Sequence, residues 1–313
     1  MESSQPDHFV TLPLVSKSDG RARIPLAIDV VARYWGEDLE APGSASKAEI
    51  LILIGGIELA EKSGLACHIY KGSLKDLKKR IDQGIPPIVI TPGIQDVAQH
   101  ATVVSGYDLE ERRIMTYVPE PDTVGAVPEQ KFEQDWEQDD MTTIVLVPAD
   151  MNDLLKNDEL KFVKSNRMCF EAERLRQEGK AEGAADMLRL ATGIDPENAS
   201  AWSQLAGVYN EQGSDEAVGC YERALKLNPK YYLAYRGLGN YYLKKKNYLL
   251  AEAYYTKAIE INAGRFGPIY KNRAVARMQL GNNAGAREDL LKYLEQTPGA
   301  QDKVGIQDAI SQL

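Results

Sequence analysis

Residues 202–229 read WSQLAGVYNEQGSDEAVGCYERALKLNP, and residues 235–263 read YRGLGNYYLKKKNYLLAEAYYTKAIEINA. Trp202, Leu205, Ala206 and Tyr209, followed by Ala217, Tyr221, Ala224 and Pro229, recur as Tyr235, Leu238, Gly239 and Tyr242, followed by Ala251, Tyr255, Ala258 and Ala263. A third unit carries Tyr270, Ala274, Gly281, Ala286, Leu290, Tyr293 and Pro298. A fainter one precedes them with Ala172, Gly179, Ala184, Leu188, Ala191 and Pro196. Each unit holds two apolar stripes at helical spacing, split by a turn of Gly or polar residues, which predicts a helical hairpin. Small residues (Ala206, Gly239, Ala274; Ala217, Ala251, Ala286) stand where two helices approach closely, and large ones (Trp202, Tyr209, Tyr235, Tyr242) fill the gaps beside them. Pro196, Pro229 and Pro298 stop the second helix of their units, because proline lacks the amide and fixes φ. One hairpin cannot bury both faces, so the units must stack.

These residues resemble the tetratricopeptide repeat family over about residues 165–300. The units at 202–229 and 235–263 match best. The next departs at Arg277, where an aromatic is usual, and at Tyr293, where a small residue is usual; the first departs at Glu171 and Leu175. In residues 301–313, Ile306, Ala309, Ile310 and Leu313 keep helical spacing and predict a capping helix. The aromatics Trp202, Tyr235, Tyr242 and Tyr255 are expected in the core, as are Cys169 and Cys220 as small hydrophobes.

In stacked hairpins the first helix of each unit lines the concave side, and residues three or four apart share a face. This puts Arg236, Asn240 and Lys244 on one face, with Lys271 contributed by the next unit. Three cations and an amide suit a carboxylate, either a peptide C-terminus or an acidic segment. The set is similar in part to the carboxylate clamp of chaperone-binding repeats; Ser203 and Gly207 hold the comparable places one unit earlier. Two other readings compete: ordinary solvated charges, and a groove filled by the chain's own acidic first half.

In the first half, Arg23 to Gly36 (RIPLAIDVVARYWG) and about Lys47 to Lys62 predict helices, and Leu74 to Ile81 a third, short one. Gly64–Tyr70, Pro87–Thr91, Ala101–Gly106, Ile114–Val118 and Thr143–Val147 predict strands. Helices first and strands later argue for an α+β, mostly antiparallel domain.

Leu74, Leu77, Gly84, Pro86 and Ile88–Ile90, then His100, Val103–Val104 and Gly106–Asp108, then Pro121 and Phe132–Trp136, resemble the C39-type cysteine peptidase domain over about residues 10–148. The resemblance implies a papain-like fold and cleavage of leader peptides. It implies a nucleophilic cysteine at the start of the first helix, activated by the helix N-terminus and a histidine. Aligned on Pro25 and Tyr34–Gly36, the cysteine position holds Arg23 and the oxyanion-hole glutamine falls near Lys17. His100 matches the base, and Glu120 before Pro121 replaces the aspartate that orients it. Arginine cannot attack a carbonyl, and Cys67 lies in the strand after the second helix. Triad members act together, so loss of the nucleophile is decisive.

Charge divides the chain. Residues 1–150 hold 14 Lys/Arg and 25 Asp/Glu, net −11, and the remainder is +2. An acidic first half argues against non-specific nucleic-acid binding. The run Glu133, Asp135, Glu137, Asp139, Asp140 is expected to be a solvated face rather than a cation site, since it lacks the Gly turn of a calcium loop. Asp108 to Arg113 reads as a charged hairpin turn. Three cysteines at unrelated spacings form neither a disulfide framework nor a metal site. No secretory signal or ~20-residue apolar span is present, so a cytoplasmic location is expected.

The expected organisation is a C39-like, papain-like α+β domain over 1–150 and an all-α repeat solenoid over 151–313, with about four hairpins and a cap. The expected function is a non-catalytic adaptor or scaffold binding protein or peptide partners, without cofactor or metal. The alternatives are a C39-type peptidase with a non-standard site, or a structural subunit of a larger complex.

Overall fold

The computed structural model describes residues 8–15, 24–40, 52–93, 97–118 and 123–313. It divides into two compact units. The first comprises residues 1–90, 101–137 and 141–187; the second comprises 91–100, 138–140 and 188–313. The first unit therefore reaches well past residue 150.

The first unit opens with β1 (His8–Phe9), α1 (Leu26–Tyr34), α2 (Leu53–Lys62), β2 (Leu65–Lys71) and α3 (Leu74–Asp82). The start expected for α2, at Lys47, lies outside the described residues. Next come β3 (Ile88–Pro92), β4 (Gln99–Asp108), β5 (Arg113–Val118), β6 (Thr123–Pro128), α4 (Glu129–Glu137) and β7 (Thr142–Pro148). A 3-10 turn at Ala149–Met151 and α5 (Asp153–Lys156) lead into α6 (Val163–Gln177). The strands form one sheet in the order β2-β7-β3-β4-β5-β6, with β1 on β4. The β1–β4, β2–β7, β3–β7, β4–β5 and β5–β6 pairings are antiparallel.

Alternation explains this core. On β7, Ile144 and Leu146 join Ile28, Val31 and Ile57 on one face, while Val145 and Val147 join Tyr70, Ile85 and Leu155 on the other. Both faces are covered, so the strand reads as an unbroken apolar run. Helix α1 is pinned through Trp35, whose Nε1 donates to Leu146 O at 2.8 Å, and Tyr34, whose hydroxyl donates to Gly84 O at 2.9 Å. Gly84, at φ +73°, takes the left-handed turn that ends α3.

The segment after β7 docks on the same unit. Leu155 is buried, and Asp158 meets the fully buried Arg80 at 2.6 Å. Arg167 of α6 grips Glu61 of α2 with two bonds of 2.7 and 3.0 Å.

Two strands were not expected from sequence. β1 is only two residues long, too short to show a period. β6 (TVGAVP) contains the Gly and Pro that usually break strands.

Helix α7 (Ala181–Ile194) bridges the two groupings in sequence, and the second unit continues with α8 (Ala199–Glu211), α9 (Glu216–Leu227), α10 (Tyr232–Lys244), α11 (Tyr248–Ile261), α12 (Pro268–Gln279), α13 (Asn283–Gln296) and α14 (Lys303–Gln312). Helices α8 and α9, α10 and α11, and α12 and α13 pair as hairpins, and α14 packs on α13. Ala206, Ala217, Ala251, Ala274 and Ala286 are fully buried. At Gly239 a Cβ would come within 2.5 Å of the Tyr255 ring, so only glycine fits. Tyr255 is core as expected, whereas Trp202, Tyr235 and Tyr242 are only partly buried. Ile306, Ala309 and Ile310 of α14, with Leu313 just past it, pack on Ala274, Ala286 and Leu290.

Candidate functional site

On α10, Arg236, Asn240 and Lys244 stand at intervals of four and share a face. The Arg236 guanidinium lies 4.8 Å from the centre of the Phe266 ring and has no carboxylate partner among the described residues. Burial pushes its pKa below the ordinary arginine value, and the neighbouring Arg265 adds to the depression. Asn240 Oδ1 accepts from the Tyr255 hydroxyl at 2.8 Å and from Asn272 Nδ2 at 3.3 Å. Lys244 Nζ donates to Asn210 O at 3.3 Å. Two further polar atoms of this unit, Tyr232 Oη and Asn210 Oδ1, are buried without a hydrogen-bond partner.

Lys271 is differently placed from its expected role. Its Nζ lies 2.9 Å from Asp302 Oδ2, next to the start of α14, and 5.1 Å from the Tyr293 ring centre. The Asp302 carboxylate raises the Lys271 pKa, and Lys271 in turn lowers that of Asp302. Of the four expected binding residues, Arg236 and Asn240 share a face of α10, Lys244 caps a neighbouring helix end, and Lys271 already holds an internal carboxylate.

A second cluster was missed by sequence reasoning. Asn228 and Asn262, each just past the second helix of its hairpin, donate to Asp140 Oδ1 at 3.3 Å and Gln138 Oε1 at 3.2 Å. Arg265 Nη2 lies 2.5 Å from Asp139 Oδ1, its Nε donates to Ala98 O at 3.1 Å, and its guanidinium sits 4.4 Å from the Tyr232 ring centre. This corrects the expectation that the acidic run is wholly solvated. Asp139 and Asp140 are buried because repeat-turn side chains replace their hydration shell. The 34-residue offset between Asn228 and Asn262 was legible in the sequence; their ligand was not.

Of the peptidase-like positions, Lys17, Arg23 and Glu120 lie outside the described residues. His100 lies in β4, with Thr91 Oγ1 at 3.3 Å from Nε2 and 3.5 Å from Nδ1. Desolvation holds its pKa below the ordinary value, although the residue is exposed at the surface; Arg265 acts in the same direction, and a backbone hydrogen bond at Pro92 opposes both. Burial pushes the Cys67 thiol up to about 12, with Glu61 adding to the rise, which disfavours a thiolate at neutral pH. No helix among the described residues is long and apolar enough to cross a membrane.

Residues 213–266 match the sequence model of the tetratricopeptide repeat family. RNA polymerase II-associated protein 3 of Xenopus laevis and its Xenopus tropicalis counterpart are each 30% identical to this chain over 103 residues. The match covers 33% of this chain and only 16% of either relative. Among solved structures, Pseudomonas aeruginosa pilF is 22% identical with a TM-score of 0.44, covering 47% of this chain and 68% of its own. A thermophilic TPR protein of Thermus thermophilus is 19% identical with a TM-score of 0.42, covering 51% and 87%. Residues 213–266, on their match to the family model, carry tetratricopeptide repeats, and the first unit holds an antiparallel sheet. Such repeats generally mediate protein–protein interactions through the extended surfaces their stacking creates.

Proposed function

We propose that this chain is a non-enzymatic adaptor whose repeats bind a protein or peptide partner through a carboxylate, either an acidic side chain or a free C-terminus. Arg236 carries the reading. A partly desolvated guanidinium without a counter-charge among the described residues is costly to maintain, and a carboxylate ligand relieves that cost through charge-assisted hydrogen bonds. Asn240 adds an amide on the same face, and Lys244 stands a further turn along; Lys271 joins the ligand only by giving up Asp302. The N-terminal domain is read as a C39-like, papain-like fold with Arg23 in the nucleophile position and no peptidase activity. Its His100 is then a retained strand histidine. A cytoplasmic location suits three reduced cysteines.

The test is an array of peptides synthesised with free and with amidated C-termini, incubated with the full chain. Enrichment of acidic or free-carboxylate peptides, lost in Arg236→Ala, is the expected result. Equal binding of amidated neutral peptides, or binding unchanged in Arg236→Ala, overturns the carboxylate reading. Cleavage of a Gly-Gly leader peptide that disappears in His100→Ala overturns the non-enzymatic one.

A further inference from the structure

Arg236 and Lys271 hold the same place in consecutive hairpins, each directly after the signature aromatic, Tyr235 or Tyr270. Asn240 Oδ1 and Asn272 Nδ2, 3.3 Å apart, join their two helices one turn from Arg236 and next to Lys271. Arg236 has no carboxylate among the described residues, whereas Lys271 has one. Asp302 Oδ2 lies 2.9 Å from Lys271 Nζ, and Asp302 Oδ1 accepts from the Tyr293 hydroxyl at 2.8 Å. The Lys271 ammonium also stands over the Tyr293 ring. Ammonium and phenol thus lie side by side as a two-donor seat for one carboxylate.

Two departures from the ordinary pattern converge on this seat. Tyr293 stands where the two preceding hairpins have Ala258 and Ala224, and the larger residue brings a hydroxyl to the carboxylate. Asp302 is the N-cap of α14, a place where aspartate usually accepts from the first-turn amides of its own helix, yet its side chain makes no such bond. Once turned out of the seat, it has those amides as an alternative partner, which offsets part of the loss. The Lys271 and Asp302 side chains are 35% and 42% exposed, so a ligand reaches the pair with α14 still in place.

We propose that Lys271 and Tyr293 form a second carboxylate seat, that Asp302 fills it as an internal stand-in, and that the partner is an acidic segment whose two carboxylates take Arg236 and this seat together. The inference rests on the carboxylate reading of Arg236 and narrows it: a lone free C-terminus fills one place, an acidic segment fills both. Packed helices lie about 8–10 Å apart, and an extended chain rises about 3.3 Å per residue, so acids three residues apart span the step from one hairpin to the next. With the first carboxylate bound, the second meets its seat at high effective concentration and displaces Asp302. Asp302 therefore sets the affinity in cis, since every acidic partner has to outcompete it.

NMR titration of the full chain tests it with three peptides: the diacid acetyl-Glu-Ala-Ala-Glu-amide, the single acid acetyl-Glu-Ala-Ala-Gln-amide, and acetyl-tetra-alanine with a free C-terminus. The diacid is expected to bind more tightly than either of the others. Asp302→Asn and Asp302→Ser, which both keep a capping residue on α14, should tighten the diacid by about two- to fivefold, the scale of an exposed ion pair, and leave the single acid unchanged. Lys271→Ala should bring the diacid down to the level of the single acid, with the fold of each variant checked by circular dichroism. A diacid that binds no more tightly than the single acid, or that is unaffected by both Asp302 variants, overturns the second seat; the carboxylate reading then still stands if single-acid binding is lost in Arg236→Ala. Absence of binding by all three peptides overturns that reading and the second seat with it.

Discussion

The Arg265 guanidinium lies 2.5 Å from Asp139 Oδ1, and neither side chain has any solvent exposure. Removing one partner leaves the other charge buried and uncompensated, which costs about 3–5 kcal/mol. Arg265→Met and Asp139→Leu are each expected to lower the urea midpoint substantially, while the double variant should recover much of the loss. A double-mutant cycle in urea measures this, and additive effects would show that the pair is uncoupled.

Gly239 and Gly219 predict opposite signs for the same substitution. Gly239→Ala drives a methyl to 2.5 Å from the Tyr255 ring and is expected to cost about 1–3 kcal/mol through overpacking. Gly219→Ala meets nothing and is expected to stabilise by up to about 1 kcal/mol, since alanine is the better helix former. Thermal unfolding of the two variants side by side decides it.

His100 predicts an acid-side slope. Its pKa is lower in the folded chain than the ordinary 6.5, so below that pH the unfolded chain binds more protons than the folded one. Stability should therefore fall as pH drops through 6.5 and level off once the folded-state value is passed. Comparing urea midpoints of wild type and His100→Gln between neutral and mildly acid pH should show a shallower slope in the variant.

The thiols predict slow chemistry. Burial raises Cys67 to about 12 and Cys220 to about 11, so both are neutral thiols at physiological pH. An active-site-directed thiol probe should label neither faster in the native chain than in urea. Rapid native labelling at Cys67 would mean that its pKa is depressed rather than raised.

The repeats were legible because their information is local. Small residues at Ala206, Gly239 and Ala274, with aromatic or long side chains three positions on, restate one hairpin about every 34 residues, and helical periodicity needs no distant partner. The sheet strands were legible where a β-branched, apolar run held for about five residues, as in β7, and lost in β1 and β6, where length or breaker residues hid the pattern.

By itself, the sequence determined that stacked helical hairpins follow an acidic α+β half, and that position 23 holds arginine. Those facts rest on residue identity and short-range period. Only the tertiary structure decided which charges find partners. Lys271 is neutralised by Asp302, 31 residues away, and Asp139 is buried by Arg265, 126 residues away, while Arg236 is left without a carboxylate among the described residues. Pairing and packing depend on where distant side chains arrive in space, and no window of sequence contains that distance.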